Sequence, residues 1–344
     1  MTHVAGIDDE VLTRWLADHV GLRPPIDATL IAGGRSNLTY RIVDAAGRTV
    51  ALRRPPVHHV LPTAHDMVRE HTILTALAPQ GVPVPTPLAL CTDAAVADHP
   101  FYVMDFVEGA ILRDRAQAEA TFPLDVRARI GDHLAETLAH LHRVDLERSG
   151  LSGLARHDGY IERQVRRWRS QYEQTYIDEG PDHSGVLDVA DALARDIPTQ
   201  QRTTVVHGDY RLDNVVLDGD GRVRAILDWE ICTLGDPLGD LGMLLVYWAE
   251  PTDPMASLLG SAPSTAPGFS SRADVLAAYA ARSDLDLSNI AYYQAFGYWK
   301  LACILQGIYA RYRAGATAGD RGSVDEFPAF IARLASLAAA TLEQ

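Results

Sequence analysis

Two acids and an amide at fixed spacing offer the clearest chemistry in this chain. The β-branched pair Val205-Val206 delivers His207 and Asp209 into a loop, and Asn214 follows five positions after Asp209. A second apolar run, Ala225-Ile226-Leu227, ends on Asp228. Between them, Asp218-Gly219-Asp220-Gly221 carries the Asp-Gly steps that favour a tight hairpin turn. Folding about that turn sets Asn214 roughly opposite Asp228, so an amide oxygen and a carboxylate face one small volume. Such a pair suits Mg²⁺ held on nucleotide phosphates, with Asp209 placed to orient an attacking hydroxyl. Single acids and asparagines in turns are ordinarily solvated. The joint spacing, flanked by two apolar runs, favours phosphoryl transfer over that plainer explanation.

The elements that must position these groups begin near residue 28. Short β-like runs at Thr29 to Ala32, Leu38 to Val43 and Thr49 to Leu52 are separated by Gly33-Gly34 and Ala46-Gly47, which predicts a meander. The first turn, Gly33-Gly34-Arg35-Ser36-Asn37, lets backbone N–H groups approach a phosphate, with Ser36 and Asn37 as further donors, although a Gly-Gly hairpin is equally often just a turn. The third run ends on Arg53. The single lysine of the chain, Lys300, lies far away in an apolar segment, Tyr292 to Tyr312, that predicts a helix without obvious chemistry. A helix is expected over Met67 to Ala78, begun by Asp66 and carrying Glu70 in its first turns. A Pro-rich connector, Gly81 to Pro87, leads to the aromatic strand Phe101 to Val107, which breaks at Glu108-Gly109.

The H-G-D-x-x-x-x-N run from His207 to Asn214 and the I-x-D-W-E run from Ile226 to Glu230 resemble the catalytic loop and metal-binding segment of the aminoglycoside phosphotransferase family, relatives of the eukaryotic protein kinases. The resemblance implies a two-lobed, protein-kinase-like α+β fold. A small antiparallel-sheet lobe would occupy residues 1–106 and a larger, mainly helical lobe residues 107–344. It implies ATP and Mg²⁺ as cofactors and a small-molecule hydroxyl acceptor, with Asn214 and Asp228 on the metal and Asp209 on the acceptor hydroxyl. Arg211 stands where many Ser/Thr protein kinases place a lysine on the γ-phosphate. Gly34, Ser36 and Asn37 fall in the phosphate-covering loop, Arg53 takes the place of the strand lysine, and Glu70 is its partner. Met104, Asp105, Phe106 and Val107 form the hinge that borders the adenine, and Asp240 braces the catalytic loop. Two departures stand out: no G-x-G-x-x-G occurs, and Arg53 replaces lysine with a bulkier, planar cation.

The wording around the site, Leu52-Arg53-Arg54-Pro55-Pro56, His207 to Asn214 and Gly235-Asp236-Pro237-Leu238, is most similar to the branch of kinase regions joined to acyl-CoA dehydrogenases. That similarity implies a hydroxy acid or hydroxyacyl thioester as acceptor. An aminoglycoside, a choline-type amino alcohol, and a non-catalytic nucleotide-binding module remain as alternatives, the last motivated by the missing strand lysine. Arg163, Arg166, Arg167 and Arg169 around Trp168 are either a solvated helix face or partners for an anionic acceptor.

Composition narrows the field. A formal net charge of −14 and a pI near 5.3 argue against a general binder of nucleic acid or anionic membrane. Three scattered cysteines, Cys91, Cys232 and Cys303, suggest neither a disulfide framework nor a zinc site and fit a reducing cytoplasm. No secretory leader is evident over residues 1–10. The most apolar stretch, Leu241 to Ala249, is about half of the roughly 20 residues a membrane helix needs. His58 and His59, and His133, His140 and His142 on an expected helix from Val126 to Val144, lack ligand spacing and are taken as structural or solvated. Oligomeric state is not legible.

Overall fold

The computed structural model describes residues 3–31, 37–56, 66–177, 182, 184–253, 256, 262–315 and 324–344. Its first half is an antiparallel sheet with helices on both faces. Strands β1 (Asp27–Leu30), β2 (Leu38–Val43), β3 (Thr49–Arg54), β4 (Pro87–Cys91) and β5 (Phe101–Asp105) stand in the order β1-β2-β3-β5-β4. Helix α1 (Asp9–Val20) covers one face, burying Leu12, Trp15, Leu16 and Val20 with Tyr40, Ile42, Val50, Leu52, Phe101 and Val103. Helix α2 (Met67–Leu77), capped by Asp66, covers the other face with Ala51, Tyr102 and Met104, whose core runs on into the second lobe. The alternation is the period-two pattern of a strand buried on both faces. It also places Arg53: two residues after Ala51 and directly across from Tyr102 in the β3–β5 register, it shares the α2 face. Strand β4 was not anticipated; it opens on Pro87 at the sheet edge, where a missing N–H costs no ladder bond.

The second half is mainly helical: α3 (Arg115–Thr121), α4 (Leu124–Leu141), α5 (Leu146–Ser149), α6 (Tyr160–Thr175), α7 (Gly185–Arg195), α8 (Pro237–Tyr247), α9 (Arg272–Ala280), α10 (Ile290–Arg313) and α11 (Phe327–Leu342). Two small antiparallel ribbons are set among them, β6 (Thr204–Val206) with β9 (Thr233–Gly235) and β7 (Val215–Leu217) with β8 (Val223–Ile226). The second is the hairpin expected from the Asp-Gly turn, with Val215 opposite Ile226. Backbone hydrogen bonds tie the β7–β8 ribbon to the segments that flank the sheet. Ala110 and Leu217 exchange backbone hydrogen bonds of 2.8 Å, and the Ile226 N–H donates to Pro83 O at 2.7 Å. Helix α8 begins with Asp236 accepting from Leu238 N at 3.0 Å and Pro237 in the first turn. Among the described residues no helix is long and apolar enough to cross a membrane.

Candidate active site

Strand β6 hands the chain to His207, Gly208 and Asp209, and the loop is held from beneath. Asp240, buried in the first turn of α8, accepts the His207 N–H at 2.6 Å through one carboxylate oxygen and the Gly208 N–H at 2.7 Å through the other. Burial pushes the Asp240 carboxyl up, but the His142 ring and the Gly208 amide outweigh it and hold it below the usual carboxylate range. His142 in turn meets the Tyr279 hydroxyl of α9 at 2.7 Å, so it is structural, as expected. His207 ties the two halves of the site together. Its Nδ1 accepts the Asp209 N–H at 3.2 Å, which leaves Nε2 as the donor to Leu227 O at 2.9 Å, and its ring packs edge-on against Trp229.

Asp209 is gathered with Asn214 and Arg211. The Asn214 Nδ2 donates to Asp209 Oδ2 at 2.8 Å and to its backbone O at 2.9 Å. Arg211 Nε lies 3.3 Å from Asp209 Oδ2, its Nη2 lies 2.9 Å from Asp213 Oδ2, and its plane rests over the Tyr247 ring at 4.8 Å. Burial, with the Asp209 charge adding to it, pushes the Tyr247 phenol far up its scale. Leu227 N donates to Asn214 O at 2.8 Å, which keeps Asp228 one residue beyond Asn214's partner, close to the expected juxtaposition.

Asp228 has φ +64, the single positive value at a non-glycine among the described residues. Left-handed backbone at an acid in a cleft is a local cost that surrounding structure must sustain, and such costs concentrate at functional positions. Its Oδ1 takes Arg53 Nη2 at 2.6 Å, and Arg53 Nε lies 2.9 Å from Glu70 Oε2. Glu230 comes within 3.9 Å of the same guanidinium. Glu70 also accepts from the Tyr102 hydroxyl at 3.0 Å and from Asn37 Nδ2 at 3.1 Å. Burial, more than the opposing pull of the Arg53 charge, pushes the Glu70 carboxyl up to about 7, and Asp228 and Glu230 add to the rise. The Arg53–Glu70 contact expected from the family resemblance is thus present, buried, and shared with two further acids.

These groups border a cavity of about 290 Å³ between the sheet and the β7–β8 ribbon. Arg53, Asn37, Asn214 and Asp228 line it, as do Met104, Asp105, Phe106 and Val107. Of the hinge residues, Asp105 has its N–H committed to Thr86 O at 2.9 Å, so it has no backbone donor for a ligand; Phe106 and Val107 carry no such bond. Asn37 departs from the role of phosphate donor. Its amide N–H groups go to Glu70 and, at 3.1 Å, to Glu230, an orientation the two carboxylates enforce, while its oxygen is buried without a partner. Gly34 and Ser36, like His58 and His59, lie outside the described residues.

A smaller cavity of about 140 Å³ adjoins the first, and Arg113 and Asp213 line both. Arg211, Tyr247 and Trp248 complete much of its wall. The arginine cluster on α6 is largely spent elsewhere: Arg166 pairs with Glu162, Arg169 with Glu173 and Asp191, and Arg163 with backbone carbonyls. Sequence reasoning missed Tyr102, Glu230, Arg113, Tyr247 and Lys300. The last was set aside as remote, yet its Nζ donates to Gly208 O at 2.9 Å.

The donor set fits a hard divalent cation. Asn214 commits its N–H side to Asp209, which leaves the amide oxygen as acceptor beside the Asp228 carboxylate, and three acids share one guanidinium, an excess of negative charge at the cleft wall. Among the described residues no group of three His, Cys, Asp or Glu side chains forms a metal cage. A two-oxygen site is what Mg²⁺ on phosphates requires, since phosphate and water supply the rest.

The family model described as the phosphotransferase enzyme family matches residues 27–274. Acyl-CoA dehydrogenase family member 10 from Mus musculus is 33% identical over 95% of this chain, and family member 11 from Gallus gallus 34% over 88%. The chain spans only 31% and 39% of those two proteins. A crystal structure of a candidate aminoglycoside phosphotransferase from Ralstonia eutropha superimposes with a TM-score of 0.81, at 30% identity and 98% coverage of both chains. An amicoumacin kinase in complex with AMP-PNP and Ca²⁺, 17% identical over 96% of this chain with a TM-score of 0.60, shares the fold.

Proposed function

The chain belongs to the phosphotransferase enzyme family, and from that premise we propose that it moves the γ-phosphoryl group of ATP to a hydroxyl of a small hydroxy acid or hydroxyacyl thioester. The observation that carries this reading is the wall shared by two cavities. Arg113 and Asp213 border both, with the Arg211–Asp209 pair beside them, so a nucleotide and a second small molecule can meet there. A module that only held nucleotide would have no use for the second cavity.

In this reading residues 1–106 cover the nucleotide and residues 107–344 supply metal and acceptor contacts. Phe106 and Val107 offer main-chain groups to the base, with Met104 bordering it. Arg53, held by Glu70, reaches the phosphates; a guanidinium can bridge phosphate oxygens and a carboxylate together, which is how arginine serves where lysine is usual. Asn214 and Asp228 would hold Mg²⁺, which supplies neutralisation of phosphate charge. Asp209 accepts the hydrogen bond of the acceptor hydroxyl and fixes it in line, and Arg211 offsets negative charge at the transfer point. What supports the acceptor class is the small cavity, lined by Arg113 and Arg211, the latter shared with Asp209 and Asp213. A carboxylate or thioester-linked phosphate gains from the two arginines, whereas a polycationic aminoglycoside or an amino alcohol meets like charge.

ATP consumption measured across hydroxy acids, hydroxyacyl-CoAs, amino alcohols and aminoglycosides, with Asp209→Ala as control, tests the proposal. Turnover is expected with the anionic acceptors and not in the control. Turnover confined to the cationic acceptors would sink the acceptor class. Nucleotide binding without turnover on any acceptor would leave the binding module standing.

A further inference from the structure

We propose that Lys300 is a positioning residue for Asp209, its ammonium clamping the carbonyl of Gly208 and so fixing the peptide that carries the acceptor-orienting acid. The inference rests on the reading of Asp209 given above. Gly208 has φ +87, a region that glycine leaves and enters freely, so its two flanking peptides need outside restraint. Three of the four polar groups of those peptides have one. The Gly208 N–H goes to Asp240, the Asp209 N–H to the His207 ring, and the Gly208 carbonyl to Lys300. The Gly208 carbonyl and the Asp209 N–H lie in one planar peptide, so without Lys300 that plane is held on one side alone, by the 3.2 Å bond to the His207 ring, and Asp209 is aimed less firmly.

Helix α10 is brought to the loop by close packing on α8. A Cβ on Gly242 would collide with the Tyr293 backbone carbonyl, and one on Gly297 would fall 2.9 Å from a Val246 methyl. Lys300 follows Gly297 by three residues, one face of the same helix. It is 4% exposed, and among the described residues its ammonium meets, besides the carbonyl, the Trp168 ring at 5.7 Å. A buried ammonium with a neutral partner is costly, and a Leu or Met would pack the same helix at no such cost. The charge is repaid at the loop. Burial pulls the Lys300 amine below its ordinary range; Asp209 and Asp240 on α8 oppose that, and Arg167 on α6 adds to it. The ammonium thus balances the acids that the loop brings together.

Lys300 is the one lysine among 31 basic residues, so protein labelled with ¹³C,¹⁵N-lysine gives a single side-chain ammonium signal. That signal should titrate below an exposed lysine, and Asp209→Asn should lower its midpoint further by removing a supporting charge. Lys300→Met should cut kcat for ATP turnover roughly 10- to 100-fold while nucleotide affinity stays within about twofold, the split expected of a misaimed acid. An ammonium signal indifferent to Asp209→Asn, or Lys300→Met with undiminished kcat, would overturn the proposal. Should Lys300→Met fail to fold, the labelled titration decides alone. It needs no substrate, so it also stands apart from failure of the phosphotransferase reading, which shows instead as wild-type protein without turnover.

Discussion

Two buried cations flank the cleft in opposite company. Arg53, on the sheet, is crowded by Glu70, Asp228 and Glu230, and Lys300, on the helical side, has no carboxylate in contact among the described residues and spends its charge on a backbone carbonyl. A guanidinium surrounded by acids is a hub: removing it leaves several charges without balance. An ammonium on a carbonyl is a strut: removing it leaves one peptide with a single restraint. The contrast teaches that nearness to the reacting centre does not set what a cation does there, because the partners do.

The largest expected effect breaks both sides at once. Asp209→Ala should lower turnover by about 10³-fold or more with nucleotide affinity retained, as measured by ATP consumption against binding of a fluorescent analogue, since the proposed function has the acid act on the acceptor and not on the nucleotide. Asp228→Asn comes next and probes the hub. Asparagine tolerates left-handed backbone as aspartate does, so the melting temperature should hold while turnover falls by about 10²-fold or more. A large drop in melting temperature would mean that the carboxylate serves the fold first. Arg53→Met should be worse for stability than Lys300→Met, by roughly 3 kcal/mol in denaturant unfolding, because it strands the buried Glu70 without its cation. Equal losses would erase the hub and strut distinction.

Arg211→Ala should reduce kcat by about 10²-fold with nucleotide binding preserved, and an unchanged kcat would remove it from the transfer point. The smallest effect is a pH slope. Glu70 in the fold releases its proton near 7 and in the unfolded chain near 4.5, so between those values the fold holds a proton that the unfolded chain has lost. Its contribution therefore favours the fold most at low pH and declines as pH rises from about 4.5 to 7, by on the order of 2 kcal/mol. Melting temperatures across that window should show the decline in the wild type and not in Glu70→Gln.

The hairpin beside Asn214 was legible because everything that builds it is local. The Asp-Gly turn fixes the register, the register sets Asn214 beside the residue before Asp228, and the apolar runs name the strands. The Arg53–Glu70 pair needed the resemblance, since α2 has no sequence mark that distinguishes its buried acid from an exposed one. Lys300 was illegible for a sharper reason. Its partner is 92 residues away, and the helix that carries it is so apolar that the sequence predicts core alone. The arginines of α6 lie on the solvated face that was one of their two readings, and a signal for it was present: Glu162 and Glu173 stand four residues from Arg166 and Arg169, the spacing of surface helix pairs. Arg113, in contrast, sits in an irregular stretch before α3 where no periodicity could have flagged it.

The reciprocal bonds between Ala110 and Leu217 carry a mechanical consequence. They weld the chain just past the sheet to the ribbon that bears Asn214, and Ile226, on the same ribbon, is anchored to Pro83. The floor of the nucleotide cavity and its oxygen pair therefore travel as one block. A tilt of the sheet over that block would change how firmly Arg53 presses on Asp228 and leave the spacing of the floor untouched.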